Sequence, residues 1–309
     1  MKKIIFAALL FISSCSPDTP ISVITIPDTS PMWRQFGNDA RHTGNPNSQR
    51  VLIPPVINGK VEWCDTITTG TSYDGTDCSV DSKGNVYFLT ALPGTRSRVI
   101  KYNFEGKKIW ERDTLYIDGP FGLAISTDES RIYYSDFSNI SCRDSAGNLL
   151  WRINERGAGS PIIDNENNIY INNGYLTKIS SDGNKLWTLP EVHGIVYSPA
   201  FDRDYNIYFP GIKDDHNVLI KVNKSGNVLW SFDFKNYIPN SSRSVVIDGY
   251  KNIYFSHDKL YCISNDGNLK WEKSFGSETT PAVTKDNNLV VKSSGGFTML
   301  DSSGTIIWS

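Results

Sequence analysis

The chain has 309 residues, 39% of them apolar, with 31 Lys+Arg against 33 Asp+Glu and a pI near 6.1. That is enough apolar material for a core, in one large domain or two ordinary ones. The formal charge of −2 and the lack of any Lys/Arg block remove the electrostatic footprint of nucleic-acid binding, so DNA and RNA partners are not expected.

The chain opens MKKIIFAALLFISSC, with Lys2 and Lys3 ahead of an apolar run from Ile4 to Ile12 that is too short to span a bilayer as a helix. This is the pattern of an export signal over residues 1–14. Its end, Ile12-Ser13-Ser14-Cys15, resembles the bacterial lipobox, which implies lipidation of Cys15 as the mature N-terminus. Such an anchor, with more than one acyl chain, holds a protein on a membrane. Residues 15–32, with Pro17, Pro20, Pro27 and Pro31, read as a lipidated cysteine and an extended tether. The remaining residues, 33–309, read as one folded domain.

Within that domain, seven of the eight tryptophans stand four residues after a glycine: Trp63, Trp110, Trp151, Trp187, Trp230, Trp271 and Trp308. Their spacing averages about 41 residues, in the range of β-propeller blades and shorter solenoid units. Content separates the two. Residues 198–230 read as a short strand (Pro199–Phe201), a turn (Asp202–Asn206), a strand (Ile207–Phe209), a loop, a strand (Val218–Val222), a Ser225-Gly226 turn and a last strand ending on Trp230. That is four strands without a helix. The first turn begins at Asp81, Thr127, Asp164, Asp202, Asp248 and Thr284, and six residues later come Tyr87, Tyr133, Tyr170, Tyr208, Tyr254 and Val290. A glycine in the second turn fixes the register of the last strand, so every tryptophan takes the same face. Small sheets of this kind bury both faces only by packing around an axis, and each tryptophan is expected to be a buried packing anchor. The fold class is therefore all-β: a β-propeller of four-stranded antiparallel blades. Six units are complete between residues 64 and 308, and residues 51–63 (VLIPPVINGKVEW) form half of another. Six blades are expected, with seven as the alternative; the half-unit either closes the ring or caps it.

These residues resemble the PQQ-like β-propeller repeat family, which includes quinoprotein alcohol dehydrogenases and the lipoprotein scaffold of the outer-membrane β-barrel assembly machinery. The resemblance is carried by Ser160-Pro161, Ser198-Pro199 and Thr280-Pro281 at the inner strands, by the NIYF strand and by the D/S-G-x-x-x-W ending. Trp33 to Gly44 also resembles the lead-in that precedes such propellers. Quinoprotein members of the family use eight blades, calcium beside the quinone, a catalytic aspartate and a disulfide between adjacent cysteines. This chain has no adjacent cysteines and fewer units, so the resemblance does not bring the cofactor with it; no cofactor is expected.

Other chemistry finds little support in the sequence. Asp202-x-Asp204-x-Asn206 opens like a calcium loop, but Ile207 stands where glycine is needed and Lys213 where glutamate is needed. No zinc spacing is present. His42, His193, His216 and His257 read as solvated loop or lead-in residues without a nucleophile motif nearby. Cys142 and Cys262 share a repeat column three units apart, which in a ring is too far for a disulfide. Cys64 and Cys78 are either two small buried side chains or a disulfide of an oxidising compartment. A binding face is expected where the loops before the inner strands meet those between the second and third strands. Its candidates are Tyr73, Asp74, Asp77, Tyr116, Asp118, Arg156, His193, Tyr197 and Arg243. The expectation is a non-enzymatic envelope scaffold, lipid-anchored to a membrane, with the outer membrane as the expected site, and binding other envelope proteins. The alternative is a small-molecule or glycan module in which Tyr73, Tyr116, Tyr197 and Arg243 bind the ligand.

Overall fold

The computed structural model describes residues 4–6, 24–26, 78–92, 96–114, 122–135, 138–155, 160–193, 198–234, 245–275, 280–284, 286–293 and 296–309. Near the N-terminus, β1 (Ile4–Phe6) and β2 (Ile24–Ile26) pair antiparallel with one another. All the other strands form six four-stranded antiparallel sheets, and no helix occurs among the described residues.

Blade 1 is β3 (Cys78–Val80), β4 (Val86–Leu92), β5 (Arg96–Tyr102) and β6 (Lys108–Thr114); blade 2 is β7 (Gly122–Ile125), β8 (Arg131–Ser135), β9 (Ile140–Asp144) and β10 (Leu149–Ile153). Blade 3 is β11 (Ile162–Ile163), β12 (Ile169–Asn172), β13 (Leu176–Ile179) and β14 (Lys185–Leu189); blade 4 is β15 (Ala200–Phe201), β16 (Ile207–Lys213), β17 (His216–Val222) and β18 (Val228–Asp233). Blade 5 is β19 (Val246–Ile247), β20 (Ile253–Ser256), β21 (Leu260–Ile263) and β22 (Leu269–Lys273); blade 6 is β23 (Ala282–Val283), β24 (Leu289–Ser293), β25 (Gly296–Leu300) and β26 (Ile306–Trp308). Each is a plain meander, as the two tight turns per unit require.

The period-2 alternation of side chains explains why the blades stack. In blade 4, Ile207, Phe209, Val218, Ile220 and Val222 pack against blade 3, while Tyr208 and Leu219 pack against blade 5. The same two-sided packing joins blades 1 and 2, 2 and 3, and 5 and 6. The middle strands are therefore buried on both faces, and the outer strands keep one edge in solvent.

Four local readings differ from the structure. The tryptophans are less buried than expected: Trp110 is 8% exposed, Trp151, Trp187, Trp230 and Trp271 are half-buried, and Trp308 is 45% exposed. The fully buried aromatic column is the tyrosine one, Tyr87, Tyr133, Tyr170, Tyr208 and Tyr254, because it lies on the second strand rather than the outer edge. In blade 2 the first turn hangs on Ser126 instead of Thr127. Its amide bonds the Arg131 carbonyl, a turn one residue longer than Asp81 to Asn85. In blade 4 the final strand continues past Trp230 to Asp233, and Pro210-Gly211 lies inside β16 instead of a loop. Proline is tolerated there because β15 pairs β16 only through Ile207 and Tyr208, so its β15 side is an edge at Pro210. Finally, His257 is 2% exposed, with its ring against Phe234, so it is no solvated loop histidine.

Candidate functional site

The meander puts two kinds of connection at opposite ends of every blade. The turns between strands one and two and between strands three and four lie at one end. The hairpins between strands two and three, with the connections between blades, lie at the other.

The first end is committed to holding the blades together. In four blades the first turn hangs on a buried aspartate. Asp202 accepts bonds from the Asp204 and Asn206 amides (2.9 Å each), Asn206 Nδ2 (2.8 Å) and the Tyr208 hydroxyl (2.9 Å). Asp81, Asp164 and Asp248 are bonded in the same way to Tyr87, Tyr170 and Tyr254. Burial, with the neighbouring aspartate, raises those four tyrosine hydroxyls well above their ordinary pKa. This is the hydrogen-bonding demand of a turn, and it accounts for the acidic pattern that opens like a calcium loop. Lys178 lies 3.6 Å from Asp164 and Lys221 4.0 Å from Asp202, each ammonium also over a tyrosine ring.

The second turn closes a blade-to-blade latch. Five tryptophans donate the indole N–H to a turn carbonyl of the next blade: Trp110 to Ser145 (3.1 Å), Trp151 to Ser181 (2.9 Å), Trp187 to Lys224 (3.3 Å), Trp230 to Asn265 (2.9 Å) and Trp271 to Ser302 (3.1 Å). The glycine two residues after that carbonyl lies on the indole face. At Gly267, with φ of +85°, an added Cβ would stand 2.8 Å from Trp230 Cδ2. Glycine is therefore required there twice, for its positive φ and for its missing side chain. Lys101, Lys178 and Lys221 donate to the same carbonyls as the tryptophans beside them. In blade 2, Cys142 takes the lysine column, and Arg131 from the adjoining strand bonds the Ser181 carbonyl and Asp182 instead. Further links join neighbouring first turns: Glu129 to Ser82, Asn167 to Thr127, Asp204 to Lys251 and Asn287 to Gly249.

The other end carries the candidate binding face. His193 is the one candidate that falls among the described residues. It is exposed, exchanges backbone hydrogen bonds with Ile212 (3.0 and 2.7 Å), and stands edge-on to Tyr175, with ring centroids 6.4 Å apart. Tyr73, Asp74, Asp77, Tyr116, Asp118, Arg156, Tyr197 and Arg243 lie outside the described residues, as do Cys15, Cys64, His42 and Trp63. Sequence reasoning overlooked several neighbours of His193. Tyr175 is 44% exposed at the β12–β13 hairpin, and Asp214 and Asp215 form the β16–β17 turn with φ of 49° and 62°. Two successive residues at positive φ make a two-residue hairpin turn, and the Lys-Asp-Asp-His run was the available signal for it. His216 beyond the turn pairs with Asp233 at 2.7 Å. Closer to the axis, Ser79 Oγ donates to the Leu123 carbonyl (3.0 Å) and the Ser160 amide donates to Ser198 Oγ (2.8 Å), so the inner strands are stitched across blade boundaries.

A quinone with its calcium ion would need a disulfide of adjacent cysteines and gathered carboxylates. The sequence has no such cysteine pair. Among the described residues no group of three or more His, Cys, Asp or Glu side chains is placed to hold a metal, and the buried aspartates are occupied in turns. The described residues do not fit that group.

Residues 215–309 match the family model described as "Outer membrane protein assembly factor BamB". No curated protein matches the chain in sequence. Among solved structures, BamB from Moraxella catarrhalis is similar at a TM-score of 0.58 and 13% identity, over 77% of this chain and 73% of that one. A functionally unknown protein from Desulfotomaculum acetoxidans is similar at 0.54 and 15% identity, over 77% and 85%. Quinohemoprotein alcohol dehydrogenase ADHIIG from Pseudomonas putida is similar at 0.56 and 14% identity; 90% of this chain is covered but only 51% of that one, so the chain spans about half its length. Identities this low speak to fold alone. Together the comparisons bear out the resemblance to PQQ-like β-propeller repeats, in sequence over the last two and a half blades and in fold over three quarters of the chain.

Proposed function

We propose that this chain is a lipid-anchored β-propeller of the bacterial cell envelope, which binds other envelope proteins as a non-enzymatic scaffold. Residues 1–14 are the export signal, Cys15 carries the lipid, residues up to 32 are the tether and residues 33–309 are the propeller, held at the outer membrane. One observation carries the reading: the turn end of the blades is consumed by latches between blades, while the hairpin end offers exposed side chains such as Tyr175, His193, Asp214 and Asp215. A rigid frame with one end free for varied loops is what a docking platform requires. The match of residues 215–309 to the assembly-factor model supports the same reading.

The test is affinity capture of the tagged, lipidated chain from detergent-solubilised membranes. The expected result is a protein partner retained in constant ratio through washing, and lost when Tyr175→Ala and His193→Ala are combined. Recovery of the lone lipoprotein, with saturable glycan binding abolished by Tyr116→Ala and Arg243→Ala, would replace the scaffold with the glycan-binding module. A redox-active chromophore on reconstitution with quinone and calcium would make it an enzyme.

A further inference from the structure

Latches between described blades engage five tryptophan–glycine pairs: Trp110 with Gly147, Trp151 with Gly183, Trp187 with Gly226, Trp230 with Gly267 and Trp271 with Gly304. In each, the tryptophan of one unit meets the glycine of the next. The sequence holds two more tryptophans at this spacing, Trp63 and Trp308, and two more glycines, Gly59 and Gly106. Because a unit's glycine receives the preceding unit's tryptophan, Gly59 and Trp63 cannot satisfy each other.

The sheet faces point the same way. Strand register places Ala282, Val290, Phe297, Met299 and Trp308 where blade 4 has Ala200, Tyr208, Leu219, Lys221 and Trp230. In blade 4 the next sheet covers that face, and Leu219 is 0% exposed; in blade 6, Phe297 is 60% exposed and Trp308 45%. Blade 1 has the complementary face: Val80, Val86, Phe88, Ile100 and Tyr102 occupy the positions through which blade 4 receives blade 3. They are buried, yet among the described residues no apolar cluster joins blade 6 to blade 1. Trp63 precedes β3 by 15 residues, within the 11 to 16 that separate each later tryptophan from the next inner strand. The half-unit 51–63 thus stands in sequence where a blade preceding blade 1 must stand.

We propose that residues 51–63 occupy the place between blades 6 and 1, with Trp63 stacked on Gly106 and Trp308 stacked on the Asn58-Gly59 turn, donating its indole N–H to the Ile57 carbonyl. The inference is independent of the scaffold reading. It commits the exposed apolar face of blade 6 to a segment of this same chain, in preference to a second copy or a foreign partner.

The test is a pair of double-mutant cycles in the whole chain, read by equilibrium unfolding. Gly59→Val and Trp308→Ala are expected each to lower the unfolding midpoint, and the double variant to lose less than the sum of the two, because the part of the Gly59→Val cost that comes from displacing the indole vanishes with the indole. Gly106→Val with Trp308→Ala is expected to be additive. Additivity in the first cycle, a silent Gly59→Val, or coupling of Trp308 to Gly106 overturns the proposal; the last outcome would mean a ring of six. Should Gly59→Val fail to fold, hydrogen exchange of the Trp308 indole N–H, assigned by its loss in Trp308→Phe, decides on the unaltered fold. Exchange at least tenfold slower than in the unfolded chain is expected, and exchange at the unfolded rate refutes the contact.

Discussion

Asp202 and Asp144 make the same local bonds in different surroundings, so replacing each by alanine separates the turn from the network behind it. Asp144 accepts the Ala146 amide (2.9 Å), the Asn148 amide (2.8 Å) and Asn148 Nδ2 (2.8 Å) on a partly solvated turn. Water replaces these bonds when the carboxylate is removed, and Asp144→Ala should cost about 1 kcal/mol. Asp202 makes the equivalent three bonds at 4% exposure, and also accepts the Tyr208 hydroxyl and faces Lys221 at 4.0 Å. Tyr208 and Lys221 keep Asn265 as a partner, but the buried ammonium loses its counter-charge and the half-buried Asn206 donors lose their acceptor. Breaking such a pair from one side costs about 3–5 kcal/mol. Asp202→Asn should fall between the two, since it keeps an acceptor for the amides while turning a donor toward Asn206 Nδ2. With a urea m-value of about 2–3 kcal/mol/M, Asp202→Ala should move the midpoint by more than roughly 1 M, and Asp144→Ala by less than about 0.5 M. Equal shifts from the two alanine variants would refute the claim that the buried network, beyond the turn it decorates, stabilises the blade.

Gly267→Ala should destabilise by about 2–3 kcal/mol, from the positive φ and from displacing Trp230, and the displacement part should vanish in a Trp230→Ala background; denaturant titration of the four proteins measures it. Burial pushes the Cys142 and Cys262 thiols up to about 12, so neither should react with a thiol reagent near neutral pH until the chain unfolds, which timed labelling with and without denaturant would reveal. Burial and the turn aspartates raise Tyr87, Tyr170, Tyr208 and Tyr254 above the ordinary 10.0, so above that pH the unfolded chain releases protons the folded one keeps. Stability should therefore fall as alkali is added, with tyrosinate absorbance from these residues appearing only with unfolding. The Lys108 hydrogen bond, with Arg98 adding to it, holds Glu111 below its usual range; its contribution is present above the unfolded carboxylate pKa and lost as pH falls through the folded one. Glu111→Gln should flatten the acid limb of a melting-temperature profile by a small amount, the pair being largely solvated.

Much of the frame is legible because it is periodic. Trp110 to Trp308, the turn glycines and the Tyr87-to-Tyr254 column recur at fixed offsets, and a fixed offset in a meander is a fixed place in space. What the spacing cannot convey is depth. It marks Trp308 and Trp110 as equivalents, although their exposures are 45% and 8%, because exposure depends on which sheet comes next around the axis. Local insertions also hide. Counting back from Tyr133 lands on Thr127, while the longer turn makes Ser126 the residue whose hydroxyl accepts the Arg131 amide. Pro210-Gly211 has loop composition in one dimension but sits where β16 has lost its inner neighbour. His257 looks like its solvated counterparts until Phe234 is seen against it. The binding face is the least legible part. Tyr175 and His193 come from different elements, and nothing in their spacing brings them together; the pairing of His193 with Ile212 does.

The lysine column shows how such a frame tolerates change. Trp110, Trp187 and Trp230 share their acceptor carbonyls with Lys101, Lys178 and Lys221. Where Cys142 replaces the lysine, Arg131 reaches the Ser181 carbonyl from the adjacent strand and restores a cation there. In blade 5, where Cys262 takes the column, Lys270 instead bonds Asn252 beside the Asp248 turn. A cation near the turn can thus come from the second, third or fourth strand, as long as the tryptophan and its glycine remain. The constraint falls on the latch and on the aspartate turn, both at one end of the blades. The described hairpins at the opposite end are released from it, since their backbone pairs within the blade or, as at Ile212, with His193. Partner recognition can therefore diverge at that end, in side chains outside the Ser160–Ser198 and His193–Ile212 contacts, without altering the latches.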